Sequence, residues 1–309
     1  METRVLPFSN EAIAEAARLV RAGQPVAVPT ETVYGLAADA TNGEAVARVY
    51  EAKGRPSFNP LIVHVSDMDK ARSIAELGPA SMALAKEHWP GPLTIVSPLR
   101  PDSGIAPLVR AGLSTIAIRV PRHRAIRALL DELGHPLAAP SANASGAISP
   151  TRAEHVLKSL GGRIPLIVDD GPSPGGIEST IVAEQDGKLV LLRRGALEIP
   201  GAEMTSAAVV QAPGQLASHY APSKPLRLDA VKPVDDEFLI GFGEVEGDIS
   251  LSPSGDLVEA ASRLFELLYQ ADESQRPKIA VAPIPESGLG LAINDRLRRA
   301  AAPRSNKPQ

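Results

Sequence analysis

The chain has 309 residues, 44% hydrophobic and 22% charged, an ordinary balance for a soluble globular protein with room for two domains. It has no cysteine, which excludes disulfides, thiolate metal sites and cysteine nucleophiles and fits a reducing compartment. A net charge of −4 argues against a sequence-independent nucleic-acid coat, and no apolar run approaches the ~20 residues of a membrane span.

Met1 to Asn10 lacks the basic-then-apolar pattern of a secretory leader, so a cytoplasmic location is expected. Asn10–Arg21 reads as an amphipathic helix, with Ile13, Ala17 and Val20 on one face and Gly23 as the stop. Pro25–Val28 is a strand entering the loop Pro29–Gly35. A helix over Glu44–Ala52 and a buried strand at Leu61–Val65 follow, then strands at Leu93–Ser97 and Thr115–Val120. Arg122–Leu133 is a helix closed by Gly134, and Pro136–Ala139 is a strand that breaks at Pro140. Thr151-Arg-Ala-Glu154 has the form of a capping box, and the helix it opens stops at Gly161-Gly162. Leu166–Asp169 is a strand. Ser179–Glu184 and Lys188–Arg193 flank Asp186-Gly187, a strong signal for a two-residue hairpin turn.

Beyond Ile199 the pattern loosens, and Gly201–Pro225 reads as a linker. The β/α rhythm resumes with Pro225–Asp229, Glu237–Gly241, a helix at Gly255–Gln270, a strand at Lys278–Val281 and a helix at Gly290–Ala301. The expected division is a larger domain over 1–200, a linker or lid over 201–225, and a small α/β domain over 226–309.

Several signatures are missing. There is no G-x-x-x-x-G-K-[ST] and no H-E-x-x-H, and the histidines at 64, 88, 123, 135, 155 and 219 are scattered, so no protein-held metal is expected. Gly171-Pro-Ser-Pro-Gly175 matches G-x-S-x-G in form. However, the residue after its serine is Pro174, which has no N–H to build an oxyanion hole.

Four segments place glycine, proline and polar residues just after predicted strands, where open α/β sheets bind ligands. They are Pro29-Thr-Glu-Thr-Val-Tyr-Gly35, Lys53-Gly-Arg-Pro-Ser-Phe-Asn59 leading into Pro60–His64, Ser114–Pro121, and Ala139-Pro-Ser-Ala-Asn143-Ala-Ser-Gly146. In an extended loop Lys53 and Arg55 would point the same way and could bracket a polyphosphate. Ser141 and Asn143 share that spacing and offer neutral donors. Arg119, late in an apolar strand, needs an anion, either a substrate carboxylate or a structural Asp or Glu. Taken singly, K-x-R is an ordinary surface loop, S-x-N a turn, and His64 a core histidine.

In this order, with Trp89-Pro-Gly-Pro-Leu-Thr94 and Glu178-Ser-Thr-Ile-Val182 added, the segments resemble the threonylcarbamoyl-AMP synthase (YrdC-like) family over about Arg18 to Gly195. Ala212–Pro222 and Gly288-Leu-Gly resemble its two-domain version. The resemblance implies an α/β fold with a YrdC-like twisted open sheet, a basic cleft and a small Rossmann-like C-terminal domain. It also implies an enzyme, a nucleotidyltransferase that converts L-threonine, bicarbonate or CO2, and ATP into threonylcarbamoyl-AMP and pyrophosphate. Mg2+ would be carried by ATP, and the product would pass to a tRNA threonylcarbamoyltransferase complex with little or no direct tRNA binding. The family's catalytic signature falls on Lys53, Arg55, Ser141 and Asn143. Its nucleotide contacts fall on Arg55, Asn59, Thr115, Ser141, Ser149, Arg193 and Tyr220, and its threonine contacts on Thr32, His64, Arg119, Ala139 and Ser179. The segment His219-Tyr220-Ala-Pro222 would act as a lid, although Gln215-Leu-Ala-Ser218 departs from the family's usual residues there. The rival readings are a non-catalytic double-stranded RNA-binding module, a carbamoyl-adenylate enzyme that would need zinc-finger segments this chain lacks, and an inactive paralogue.

Overall fold

The computed structural model describes residues 1–205, 218–234 and 236–303. Strand β1 (Arg4–Pro7) leads into helix α1 (Asn10–Arg21), whose N-terminus is held by the Ser9 hydroxyl accepting from the Ala12 N–H. Strands β2 (Val26–Pro29) and β3 (Tyr34–Asp39) pair antiparallel around the loop at 30–33. Helix α2 (Gly43–Lys53) starts on an Asn42 cap and ends at Gly54, whose φ of 58° is the left-handed geometry that glycine permits. Next come β4 (Ile62–His64), the short helices α3 (Met68–Ile74) and α4 (Pro79–His88), and β5 (Leu93–Pro98). They are followed by β6 (Thr115–Arg119), α5 (Arg124–Leu133), β7 (Leu137–Ala138), α6 (Ala153–Leu160) and β8 (Leu166–Asp169). Strands β9 (Thr180–Gln185) and β10 (Lys188–Arg193) form the expected hairpin, with positive φ at Asp186 and Gly187, and β11 (Glu203–Met204) adds to β10.

These strands form an 11-stranded sheet in the order β1-β8-β2-β3-β7-β4-β6-β5-β9-β10-β11. Helices cover both of its faces, as alternation along β2 shows. Val26 and Val28 pack with Ile13, Ile126 and Leu129 of α1 and α5, while Ala27 packs with Val46, Val49 and Val156 of α2 and α6. Burying each such branched side chain contributes roughly 1.5–3 kcal/mol.

A second, all-parallel sheet of four strands uses β12 (Leu226–Arg227), β13 (Glu237–Gly241), β14 (Ile249–Ser250) and β15 (Lys278–Val281) in the order β12-β15-β13-β14. Helices α7 (Leu257–Glu273) and α8 (Gly290–Ala301) pack on it through Leu264, Phe265, Leu268, Ile293 and Leu297. The apolar cluster of this sheet also takes in Val33, Ile148, Ile177 and Tyr220, so its core runs into the loops of the large sheet. The two halves are fastened by Tyr269, stacked on His155 at 3.9 Å and donating to the Ile148 carbonyl at 2.9 Å. At Gly176, φ is 69° and a Cβ would lie 2.3 Å from the Ser262 Cα, so only glycine allows this approach. No helix among the described residues is long and apolar enough to cross a membrane.

The α/β class and most elements match the sequence reading, with some corrections. Lys53 closes α2 instead of lying in an extended loop. Thr151 is not an N-cap: α6 begins at Ala153 with Arg152 as a cap that makes no side-chain bond. The backbone there is already committed, because the Pro150 and Thr151 carbonyls accept from Tyr34 and Ser173. Strands β1, β3, β11 and β14 and helices α3 and α4 were not expected. Part of the expected linker, residues 206–217, lies outside the described residues, and with it Gln215 to Ala217.

Candidate active site

A pocket lies beyond the ends of β2, β4, β6 and β7. Parallel pairing of β4 with β6 puts His64 directly beside Arg119. The bridge between Gly35 and Ser141 brings the segment after β7 to the same place. Thr32, Arg55, His64, Arg119, Ala139, Ser141, Ser179, Arg193 and Tyr220 all line it, so most of the candidate residues converge.

Arg119 already has a carboxylate partner within the protein, Glu31, which accepts from its NH2 at 2.6 Å. Its NH1 donates to the Thr32 hydroxyl at 2.9 Å and its Nε to the Gly91 carbonyl at 3.3 Å. The W-P-G-P-L-T segment therefore supplies an acceptor for Arg119, and Thr94 within it shares a 2.7 Å hydroxyl contact with Ser179. Burial opposes ionisation of Glu31, but the Arg119 charge and hydrogen bond outweigh it and hold the carboxyl below its usual range. The second Glu31 oxygen accepts from the Arg122 and His123 N–H groups, which completes a rigid mount for the guanidinium. His64 is neutral at physiological pH, because burial and then the Arg119 charge drop its pKa to about 3.

On the opposite wall, Lys53 is buried and its ammonium donates to the Ser141 carbonyl at 2.5 Å and to that of Asn143. Lys53, Ser141 and Asn143 are thus gathered, but Lys53 and Asn143 stand behind the residues that line the cavity. The Asn143 amide donates to the Ala144 and Ala147 carbonyls and so fixes the loop. Burial and the adjacent Arg55 charge push the Lys53 pKa well below the usual lysine value. Arg55, whose pKa burial pulls to about 10, lines the cavity and donates to the Asn59 and Pro60 carbonyls at 3.1 and 2.8 Å. Arg193 donates to the Ser179 carbonyl at 2.9 Å. This is possible because Gly195 allows the chain to cross β9, where a Cβ would lie 2.3 Å from the Thr180 nitrogen.

The last wall is His219 and Tyr220, both buried. Tyr220 adopts φ 63°, a strained geometry for a bulky residue that its packing against His219 and Phe265 sustains. Buried polar atoms of Asn59, His64, His219 and Tyr220 have no hydrogen-bond partner among the described residues. With Arg55, Arg119 and Arg193 on the wall and Glu178 the carboxylate among them, the cavity suits an anion beside a smaller zwitterion.

Asn59 and Ser149 sit one layer back. The Ser149 hydroxyl donates to Glu178 at 2.5 Å. Thr115 lies outside the cavity. It shares a face of β6 with Arg119 but borders a separate concavity with Val96, Ser97, Ala183 and Glu184. The roles of Glu31 and Glu178 escaped the sequence reading. Both lie inside quoted motifs, but only three-dimensional pairing shows what they hold. Among the described residues no group of three or more His, Asp or Glu side chains could hold a metal ion.

Residues 18–195 match the Sua5/YciO/YrdC family, whose description reads "Telomere recombination", and residues 177–302 match the family described as "Threonylcarbamoyl-AMP synthase, C-terminal domain". The threonylcarbamoyl-AMP synthase of Bacillus subtilis (strain 168) is 40% identical across 98% of this chain and 96% of its own. That of Pyrococcus abyssi is 37% identical across 93% of each. The crystal structure of P. abyssi Sua5 complexed with L-threonine superposes with a TM-score of 0.88 at 35% identity, over 97% of this chain and 98% of that one. E. coli YciO, at 20% identity and a TM-score of 0.57 over 64% of this chain and 98% of its own, shares the fold.

Proposed function

The chain belongs to the threonylcarbamoyl-AMP synthase family in its two-domain form, and on that premise we propose that it makes threonylcarbamoyl-AMP from L-threonine, bicarbonate or CO2, and ATP. The observation that carries the reading is the convergence of Arg119, His64 and Thr32 with Arg55 and Arg193 in one cavity.

The threonine amine takes up CO2 to form an N-carboxylate, and one of its oxygens attacks the α-phosphorus of ATP. The bond to the β-phosphate oxygen breaks and pyrophosphate leaves, which makes the step a nucleotidyl transfer. No protein nucleophile is needed. Neutral His64, Thr32 and the Arg119 guanidinium orient the amino acid, while Arg55 and Arg193 neutralise charge growing on the phosphates. Mg2+ fits as a passenger on the triphosphate, since the wall offers cations and hydroxyls and, among the described residues, only Glu178 as an acid. When bound it would screen the phosphate oxygens from the incoming carboxylate. Tyr220 and His219 keep water from the labile carbamate and the mixed anhydride. The protein then works in the cytoplasm and passes the adenylate to a tRNA threonylcarbamoyltransferase complex, with little tRNA contact of its own.

Pyrophosphate release from Mg-ATP, followed with and without L-threonine and bicarbonate, tests the reading. Release that requires both is expected. Release indifferent to threonine would remove the amino-acid assignment.

A further inference from the structure

The cavity wall carries a carboxylate, Glu178, whose charge would repel a triphosphate if nothing compensated it. Glu178 is 6% exposed and lies among residues that would face a triphosphate. One of its oxygens accepts from Ser149. The other accepts, at 3.1 Å, from the Nε of Arg296, a residue of α8 with no exposed surface. Arg296 is tied down on its other side, where NH1 donates to the Arg194 carbonyl at 2.6 Å and to Asp295 at 3.1 Å. Its guanidinium also lies 5.5 Å from the centre of the Tyr220 ring, within range of a cation–π contact. Arg193, on the cavity wall, and Asp295 are the other charged groups around it.

We propose that Arg296 is a positioning residue through which the C-terminal domain completes the nucleotide site: it cancels the Glu178 charge and holds the Tyr220 ring in the cavity wall. Arg296 does not itself line the cavity, so it acts through these two side chains. This assigns the C-terminal domain a part in ATP binding beyond burying apolar surface, and it rests on the ATP-dependent reading above. A purely structural Arg296 would fasten α8 to the large sheet and affect all ligands through stability alone.

The test uses the full chain and three variants, Arg296→Met, Arg296→Lys and Arg296→Met combined with Glu178→Gln. Mg-ATP binding is measured by calorimetry, KM separately for ATP and L-threonine, and melting temperature alongside. Arg296→Met should weaken ATP about tenfold or more, because a bare carboxylate then faces the phosphates, while KM for L-threonine stays within about twofold. Glu178→Gln in the same chain should recover most of the lost ATP affinity by removing that charge. Arg296→Lys, which keeps a cation, should bind ATP within about threefold of the unmodified chain. ATP affinity unchanged in Arg296→Met, no recovery in the double variant, or Arg296→Lys as weak as Arg296→Met would each overturn the proposal. Because ATP binding is read directly, a protein that binds ATP but releases pyrophosphate without regard to threonine defeats the functional reading and leaves this test intact.

Discussion

Glu31 and Arg119 form a buried ion pair at 2.6 Å beside the cavity. The pair means that Arg119 has a fixed direction before any substrate arrives, because its rotation is locked by Glu31, Thr32 and the Gly91 carbonyl. Glu31→Gln leaves a buried guanidinium without its counter-charge. We predict a loss of about 3 kcal/mol in stability and a roughly tenfold rise in KM for L-threonine, equal to ~1.4 kcal/mol of lost orientation. Urea unfolding and initial-rate kinetics check the two parts separately. Unchanged threonine KM with reduced stability would mean that the pair is only structural.

Lys53 and Arg55 should fail differently, although the sequence treats them as one motif. Lys53→Ala removes the ammonium that joins the Ser141 and Asn143 carbonyls, so it should both lower the melting temperature and slow turnover by roughly 10²-fold. Arg55→Ala removes a wall cation and should slow turnover by roughly 10²–10³-fold, with ATP KM raised and the smaller loss of stability. Differential scanning calorimetry beside single-turnover kinetics separates the two patterns.

These cases show where the sequence is readable. The apolar periods of Asn10–Arg21, Leu166–Asp169 and Gly290–Ala301 dictate their elements to the residue, and Asp186-Gly187 fixes the hairpin. Short polar helices such as Met68–Ile74 have too few turns to show a period, and β3 was hidden because it begins inside a motif read as loop. The gathering of most candidate residues around one cavity followed from motif order, but the direction of each side chain did not. Whether Lys53 points into the cavity or away from it depends on the left-handed residue Gly54 and on carbonyls some ninety positions downstream. Partners such as Glu31 and Arg296 are set by tertiary packing and leave no local pattern.

Acid should destabilise the fold through its buried histidines. Burial lowers the pKa of His64 to about 3 and of His155 to about 4, and it also lowers that of His219. An unfolded histidine takes up its proton near pH 6.5. Below that value the unfolded chain holds protons that the native chain does not, so stability present at neutral pH is lost as pH falls, down to about 4 for His155. Each such histidine contributes a slope of ~1.4 kcal/mol per pH unit. Melting curves from pH 7.5 to 5 should show the decline, and His155→Phe, which keeps the stack on Tyr269, should flatten it by one proton. A decline equally steep in that variant would remove His155 from the account.

Thr115 poses the remaining question about the nucleotide. It sits four residues before Arg119 on the same face of β6, ~13 Å away at the rise of a strand. The intervening cluster is apolar, made by Ile62, Val96, Ala117, Ile181 and Ala183, and Val96 and Ala183 also border the concavity beside Thr115. An apolar strip of this length beside two arginines matches a flat base at one end and phosphates at the other. Thr115→Val keeps the shape and removes only the hydroxyl. It should therefore raise KM for ATP by roughly three- to tenfold, the ~1 kcal/mol of one neutral hydrogen bond, while KM for L-threonine stays unchanged. If both KM values stay at the level of the unmodified chain, the base lies elsewhere and the nucleotide is confined to the cavity between Arg55 and Arg193.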